Sequence, residues 1–122
     1  LVNDTRDGAG AGSSAEAWTL FDINALKTSL GEGSVEYKEF FRVPAIHCGL
    51  YRLERGATDM QTPHDEDEMY YVLEGRAQMK IGEEVKEVAP GALLYVGATE
   101  SHSFFEIEED MLLLVFFSGS RR

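Results

Sequence analysis

From residue 35 onwards, apolar residues recur in short runs separated by Gly, Pro or acidic clusters. This pattern predicts strands over 35–42, 46–54, 68–74, 76–81, 84–88, 93–97, 102–107 and 111–117. The breaks include Gly82-Glu83-Glu84, Pro90-Gly91 and Glu108-Glu109-Asp110. Many short strands at such spacing predict an all-β sandwich or barrel. Upstream, Trp18 to Leu30 follows a different rhythm. Asp22 can cap a short helix that places Ile23, Leu26 and Leu30 on one face. Gly31-Glu32-Gly33-Ser34 ends it. The run Met111–Phe117 is apolar at every position, so both of its faces need cover. The barrel interior supplies one side. The N-terminal helix or a second copy must supply the other, and a homodimer is expected.

The first 14 residues carry Asp7-Gly8-Ala9-Gly10-Ala11-Gly12-Ser13-Ser14, which is linker composition. Residues 1–14 are therefore read as a flexible tail and 15–122 as a single barrel domain. A chain of 122 residues with 43% hydrophobic content suits one domain with one core. The net charge of −11 repels a phosphate backbone and an anionic membrane, so neither nucleic acid nor membrane is an expected partner. Cys48 is the only cysteine, which excludes an intramolecular disulfide and fits a reducing cytoplasm. No apolar stretch approaches the length of a membrane span, and no secretory leader pattern precedes the helix. The chain begins at Leu1 rather than Met.

Against this background, His64, Glu68 and His102 stand out. Imidazole and carboxylate are the usual protein ligands for a borderline divalent metal. His64 and Glu68 are four apart, so in an extended strand they point to one side. Tyr70 and Val72 share the side of Glu68, with Met69, Tyr71 and Leu73 opposite. Phe104 shares the side of His102. If both sides line the interior, two imidazoles and a carboxylate converge in an aromatic cup, the usual character of a small-molecule or metal site.

These residues stand in two ordered runs. The first reads Gly56, five residues, Thr62-Pro63-His64, three residues, Glu68, six residues, Gly75. The second reads Gly91, five residues, Gly97-Ala98-Thr99, Glu100-Ser101-His102, three residues, Glu106. Both resemble the paired motifs of the cupin superfamily in order and spacing. That resemblance implies a double-stranded β-helix, the jelly-roll barrel, here with a short N-terminal helix. It implies a divalent metal held by His64, Glu68 and His102. Ligand type narrows the ion to Zn, Fe, Mn, Ni, Co or Cu.

The departures are specific. Thr62 stands where the first motif normally has its first His. Gly97, Thr99 and Glu106 stand where the second motif has Pro, Gly and Asn. The missing ligand leaves water, Gln61 or Glu66 to complete the sphere, or a site without metal affinity. Tyr70 is a candidate for orienting a substrate, Phe104 for the pocket wall, and Glu66 for a weak general base. The resemblance implies a metal-binding barrel accepting a small organic molecule, with dioxygenase or isomerase chemistry as the enzymatic options. The alternative is a non-catalytic barrel acting as a small-molecule or sugar sensor, or as a structural module.

The remaining polar and aromatic residues have plainer readings. His47, on the strand before the first motif, is expected at a satisfied or exposed position. Cys48 is expected as a small buried hydrophobe. Tyr51, Tyr70 and Tyr71 read as core or interface aromatics. Arg76 reads as a surface ion-pair residue, and Asp59 as part of a polar loop.

Overall fold

The computed structural model describes residues 17–59 and 65–119. The 1–14 tail therefore lies outside the described residues. Six strands and one helix follow in the order α1 (Ile23–Thr28), β1 (Val35–Val43), β2 (Ile46–Leu53), β3 (Glu68–Ile81), β4 (Glu84–Val88), β5 (Leu93–Val96) and β6 (His102–Ser118). All pairings are antiparallel, in the order β1-β2-β6-β3-β4, with β5 also on β3.

Two of the expected breaks are absent. The runs 68–74 and 76–81 form one strand, as do 102–107 and 111–117. Gly75 and the acidic cluster at 108–110 had suggested loops. Instead the β3–β6 register shifts between Val72 and Glu74, between Glu74 and Arg76, and between Arg76 and Gln78. Such bulges bend a strand without ending it. The first half of β3 pairs with β5 and with the last residues of β6. Its second half pairs with β4 and with the first residues of β6. Both long strands thus belong to the two halves of a barrel. The core between them takes Tyr51, Leu53, Tyr70, Val72 and Leu113 from one half and Ala77, Met79, Val88 and Phe104 from the other.

Helix α1 starts after Asp22 as expected and ends at Thr28, two residues short of Leu30. Asp22 caps it, its carboxylate accepting from Asn24 N at 3.0 Å and Ala25 N at 3.3 Å. Such a cap contributes about 1 kcal/mol. At the other end, the Ser29 hydroxyl donates to Leu26 O at 2.7 Å. Ile23, Leu26 and Leu30 do share a face, packed over Leu50, Leu112 and Leu114. The helix thereby covers much of the outer side of the apolar strand. Among the described residues, no helix is long and apolar enough to cross a membrane.

Backbone conformation accounts for several motif positions. Gly75 sits at φ +95°, and a Cβ there would lie 2.6 Å from Met111 Cα as well as against the Asp110 carbonyl. Thr99 has φ 65° and Glu106 φ 48°, both left-handed. Those are the two places where the second motif has Gly and Asn, the residues that visit this region readily. The turns are retained although the residues suited to them are not.

Opposite responses are expected. Gly75→Ala should destabilise by at least about 2 kcal/mol, because strain and a backbone clash coincide. Thr99→Gly relieves a left-handed penalty of about 1–2 kcal/mol and adds roughly 0.5–1 kcal/mol of chain entropy cost. A net gain of about 0.5–1 kcal/mol should appear as a higher midpoint in urea denaturation. A lowered midpoint for Thr99→Gly would show that its backbone is not strained.

Candidate functional site

The antiparallel register sets one row of residues across five strands. Arg42 on β1 lies opposite His47 on β2, His47 opposite Phe117 on β6, Phe117 opposite Glu68 on β3, and Glu68 opposite Val96 on β5. Opposed residues share a face, and the burial of Phe117, Glu68 and Val96 marks it as the inner one. The row two residues along carries Glu39, Gly49, Val115, Tyr70 and Leu94. Gly49 has a reason in this row: a Cβ there would collide with the Tyr37 phenol. Burial pushes that phenol up to about 12, helped by the nearby charges of Glu39, Cys48 and Glu68.

Glu68 and His102 meet inside the barrel. Glu68 Oε1 is 3.0 Å from His102 Nε2, with side-chain exposures of 2% and 1%. His102 Nδ1 lies 2.8 Å from the Glu100 carbonyl. A carbonyl only accepts, so Nδ1 carries a proton and Nε2 is directed inward. The Tyr70 hydroxyl is 3.1 Å from the same Nε2. When Nε2 is protonated it donates to Glu68; when neutral it accepts from Tyr70. Burial pulls the imidazolium down, but the Glu68 and Glu100 hydrogen bonds and the charges of Glu68 and Asp59 outweigh it, so the His102 pKa is raised. Glu68 Oε2 is buried with no hydrogen-bond partner among the described residues. Phe104 closes one wall, edge-on to Tyr70 at 5.1 Å between ring centres.

The expected site residues fall into three groups. Glu68, His102, Tyr70 and Phe104 are brought together. Gln61, Thr62 and His64 lie outside the described residues. Glu66 is turned to His47, with Oε2 3.1 Å from His47 Nε2. Among the described residues, no three His, Cys, Asp or Glu side chains form a metal-holding group.

Two arrangements escaped the sequence reading. His47 is buried as expected of a satisfied residue, but within a run of polar side chains. Its ring stacks on Phe117 at 4.7 Å, and its Nδ1 is 3.4 Å from Glu39 Oε1. That contact lacks hydrogen-bond geometry, and Nδ1 has no hydrogen-bond partner among the described residues. Arg42 grips Glu39 with two bonds of 2.9 and 2.8 Å, and this hydrogen bond is the main cause that lowers the Glu39 carboxyl. The second arrangement is a buried clamp at Asp59. Its Oδ1 accepts from the Tyr51 hydroxyl at 2.6 Å and its Oδ2 from Phe104 N at 2.8 Å. The polar loop residue of the sequence reading is thus a buried anchor. The alternation His47, Gly49, Tyr51, Leu53 along β2 was the signal for both, since it puts two polar tips on the inner face.

Residues 49–117 match the cupin domain family. The chain belongs to the cupin family. An uncharacterized protein of Streptomyces coelicolor is 40% identical over 98 residues, spanning 80% of this chain and 93% of its own. The TT1209 structure from Thermus thermophilus is 27% identical with a TM-score of 0.68, over 82% of this cupin and 96% of that chain. Salicylate 1,2-dioxygenase from Pseudoaminobacter salicylatoxidans aligns at 16% identity and TM-score 0.64, over 69% of this chain and 25% of its own. At that identity the last likeness concerns the fold alone.

The Asp59 clamp ties β2 to β6 through Tyr51 and the Phe104 backbone. Tyr51→Phe removes one charge-assisted hydrogen bond from a buried carboxylate. It should lower stability by about 1.5–3 kcal/mol, read as a lower denaturation midpoint at unchanged slope. A change below about 0.5 kcal/mol, the ordinary surface range, would show the clamp to be incidental.

Proposed function

We propose that this cupin binds one divalent metal through His64, Glu68 and His102 and accepts a small organic molecule against it. The observation that carries the reading is the buried Glu68–His102 pair whose second carboxylate oxygen has no hydrogen-bond partner among the described residues. Leaving a carboxylate oxygen dry and unpaired is costly, and a cation is the partner that offsets it. The donor spacing fits. Two ligands on one metal at usual bond lengths lie about 3.0–3.4 Å apart, and Glu68 Oε1 and His102 Nε2 are 3.0 Å apart. The Nδ1 bond to Glu100 O is the kind of outer contact that orients a ligating imidazole.

A bound divalent ion supplies a Lewis acid and a template for substrate. The chain's own residues do the rest. Tyr51, Phe104 and Phe117 wall the cup, and Tyr37 stands at 44% exposure where the inner face meets solvent. Dioxygenase or isomerase chemistry is the enzymatic form of this proposal, and the shared fold with a salicylate dioxygenase supports considering the former. The second reading is a non-catalytic sensor, and Thr62 in the first ligand position favours it. Buried, unpaired Cys48 accords with a reducing cytoplasm.

Untagged protein reconstituted with each candidate metal should hold about one ion per chain by elemental analysis, the stoichiometry of a single three-ligand site. His102→Ala and His64→Ala should each lose it while remaining β-rich. Full occupancy in either variant would remove that residue from the set, and an empty wild type would sink the metal reading. Oxygen uptake with candidate substrates then separates enzyme from sensor.

The homodimer is proposed on the outer face. Met69 lies opposite Tyr95 and Tyr71 opposite Leu93 on β3 and β5. Leu93 and Tyr95 are each 60% exposed, an uncharged area on a chain of net charge −11. A second copy covers such an area by two-fold pairing. Light scattering should give a dimer mass, and Tyr95→Glu should convert it to a monomer. A monomer mass for the wild type at micromolar concentration would refute the pairing.

A further inference from the structure

A buried ring nitrogen beside the polar centre lacks a partner. His47 lies on the inner face of β2, 7% exposed, with its ring stacked on Phe117. Its Nε2 is 3.1 Å from Glu66 Oε2. A carboxylate only accepts, so the neutral imidazole carries its proton on Nε2 and presents Nδ1 as an acceptor. That Nδ1 is buried and makes no hydrogen bond among the described residues. Glu39 Oε1 stands 3.4 Å from it. Two acceptors therefore face one another with no hydrogen between them, and a buried acceptor without a donor is costly. Arg42 grips both oxygens of Glu39 and fixes that carboxylate in place. Glu39 and Glu66 lie at opposite ends of the ring, so the three side chains do not converge on a metal ion. Among the described residues, no metal-holding group of three exists there or elsewhere.

We infer that His47 Nδ1 and Glu39 Oε1 form a subsite for the primary ammonium group of a small organic molecule. The inference rests on the reading that the barrel accepts such a molecule, and does not need the metal. A primary ammonium carries three N–H donors on one charged atom. At about 2.8 Å from each acceptor it donates to both at once. Water could serve Nδ1, but it brings no charge to Glu39, and charge-assisted hydrogen bonds are roughly twice as strong as neutral ones. Around the subsite Glu39, Glu66 and Glu68 outnumber Arg42, which favours a cation over an anion. His47, Phe117 and Glu68 stand side by side on β2, β6 and β3. Two strand spacings, about 10 Å, separate the backbones of His47 and Glu68. A molecule of a few carbon atoms can therefore reach from the ammonium subsite to the polar centre.

The test titrates the full chain with methylammonium at neutral pH and follows isotope-labelled histidine ring nitrogens by NMR. The His47 signals are identified by their loss in His47→Phe or, if that variant does not fold, by ring contacts to Phe117 in the wild type. Nδ1 of the free protein should resonate as an unprotonated acceptor and shift saturably as methylammonium is added. Potassium and tetramethylammonium carry the same charge without N–H donors and bracket methylammonium in size, so neither should shift it. Glu39→Gln should weaken binding about tenfold. Glu87→Gln, which breaks an exposed pair with Arg76, should bind as the wild type does. A protonated Nδ1 in the free protein, no saturable shift, an equal shift with potassium or tetramethylammonium, or undiminished binding in Glu39→Gln would each overturn the subsite. Metal content is measured on the same samples. A saturable shift in protein that takes up no metal keeps the subsite and sinks the metal reading, while one metal per chain with no shift does the reverse.

Discussion

The pairing of β3 with β6 is the constraint on which the rest of the barrel depends. These are the two longest strands, and they run alongside one another through both halves. Neither could do so straight, because a flat ribbon does not close on itself. The bulges around Gly75 supply the bend, and the close approach of Gly75 to the Asp110 backbone makes a side chain there intolerable. Once bent, the strands bring Glu68, at the start of one, and His102, at the start of the other, into contact. The same geometry that closes the barrel therefore assembles its polar centre.

That centre is expensive as a structural device. Two ionisable groups with almost no exposure gain little net stability from each other, because desolvation offsets the attraction. An apolar pair in the same place would serve the core as well. Among the described residues, one carboxylate oxygen is left without a hydrogen-bond partner in addition. The cost makes sense if the groups serve a ligand, as buried polar clusters in apolar cups commonly do. The Asp59 clamp differs. Both of its oxygens are used, by Tyr51 and by the Phe104 backbone.

The run of polar side chains from Arg42 through Glu39 and His47 to Glu66 adds a second layer beside the centre. It engages Glu66 through His47 Nε2 at 3.1 Å. Thr99 and Glu106 keep left-handed backbone although neither residue favours it. The second motif's turns are thus imposed by the surrounding sheet rather than by local preference. Local strain of this kind persists only where tertiary structure over-determines it.

Much of the fold was legible in the sequence because strands, caps and turns leave local signatures. Alternation placed Glu68, Tyr70 and Val72 on one face, and Asp22 marked the helix start. The order and spacing of Gly56, Glu68, Gly75, Gly91 and His102 identified the family. What the sequence did not carry was continuity and partnership. Gly75 and the acidic run at 108–110 read locally as breaks, and only pairing across the barrel turns them into bends. Whether Glu66 faced Glu68 or His47, and whether Asp59 was loop or anchor, depended on strands distant in sequence. Period-2 patterning says which side a residue takes; the register between strands decides what it meets there, and register is a property of the assembled sheet.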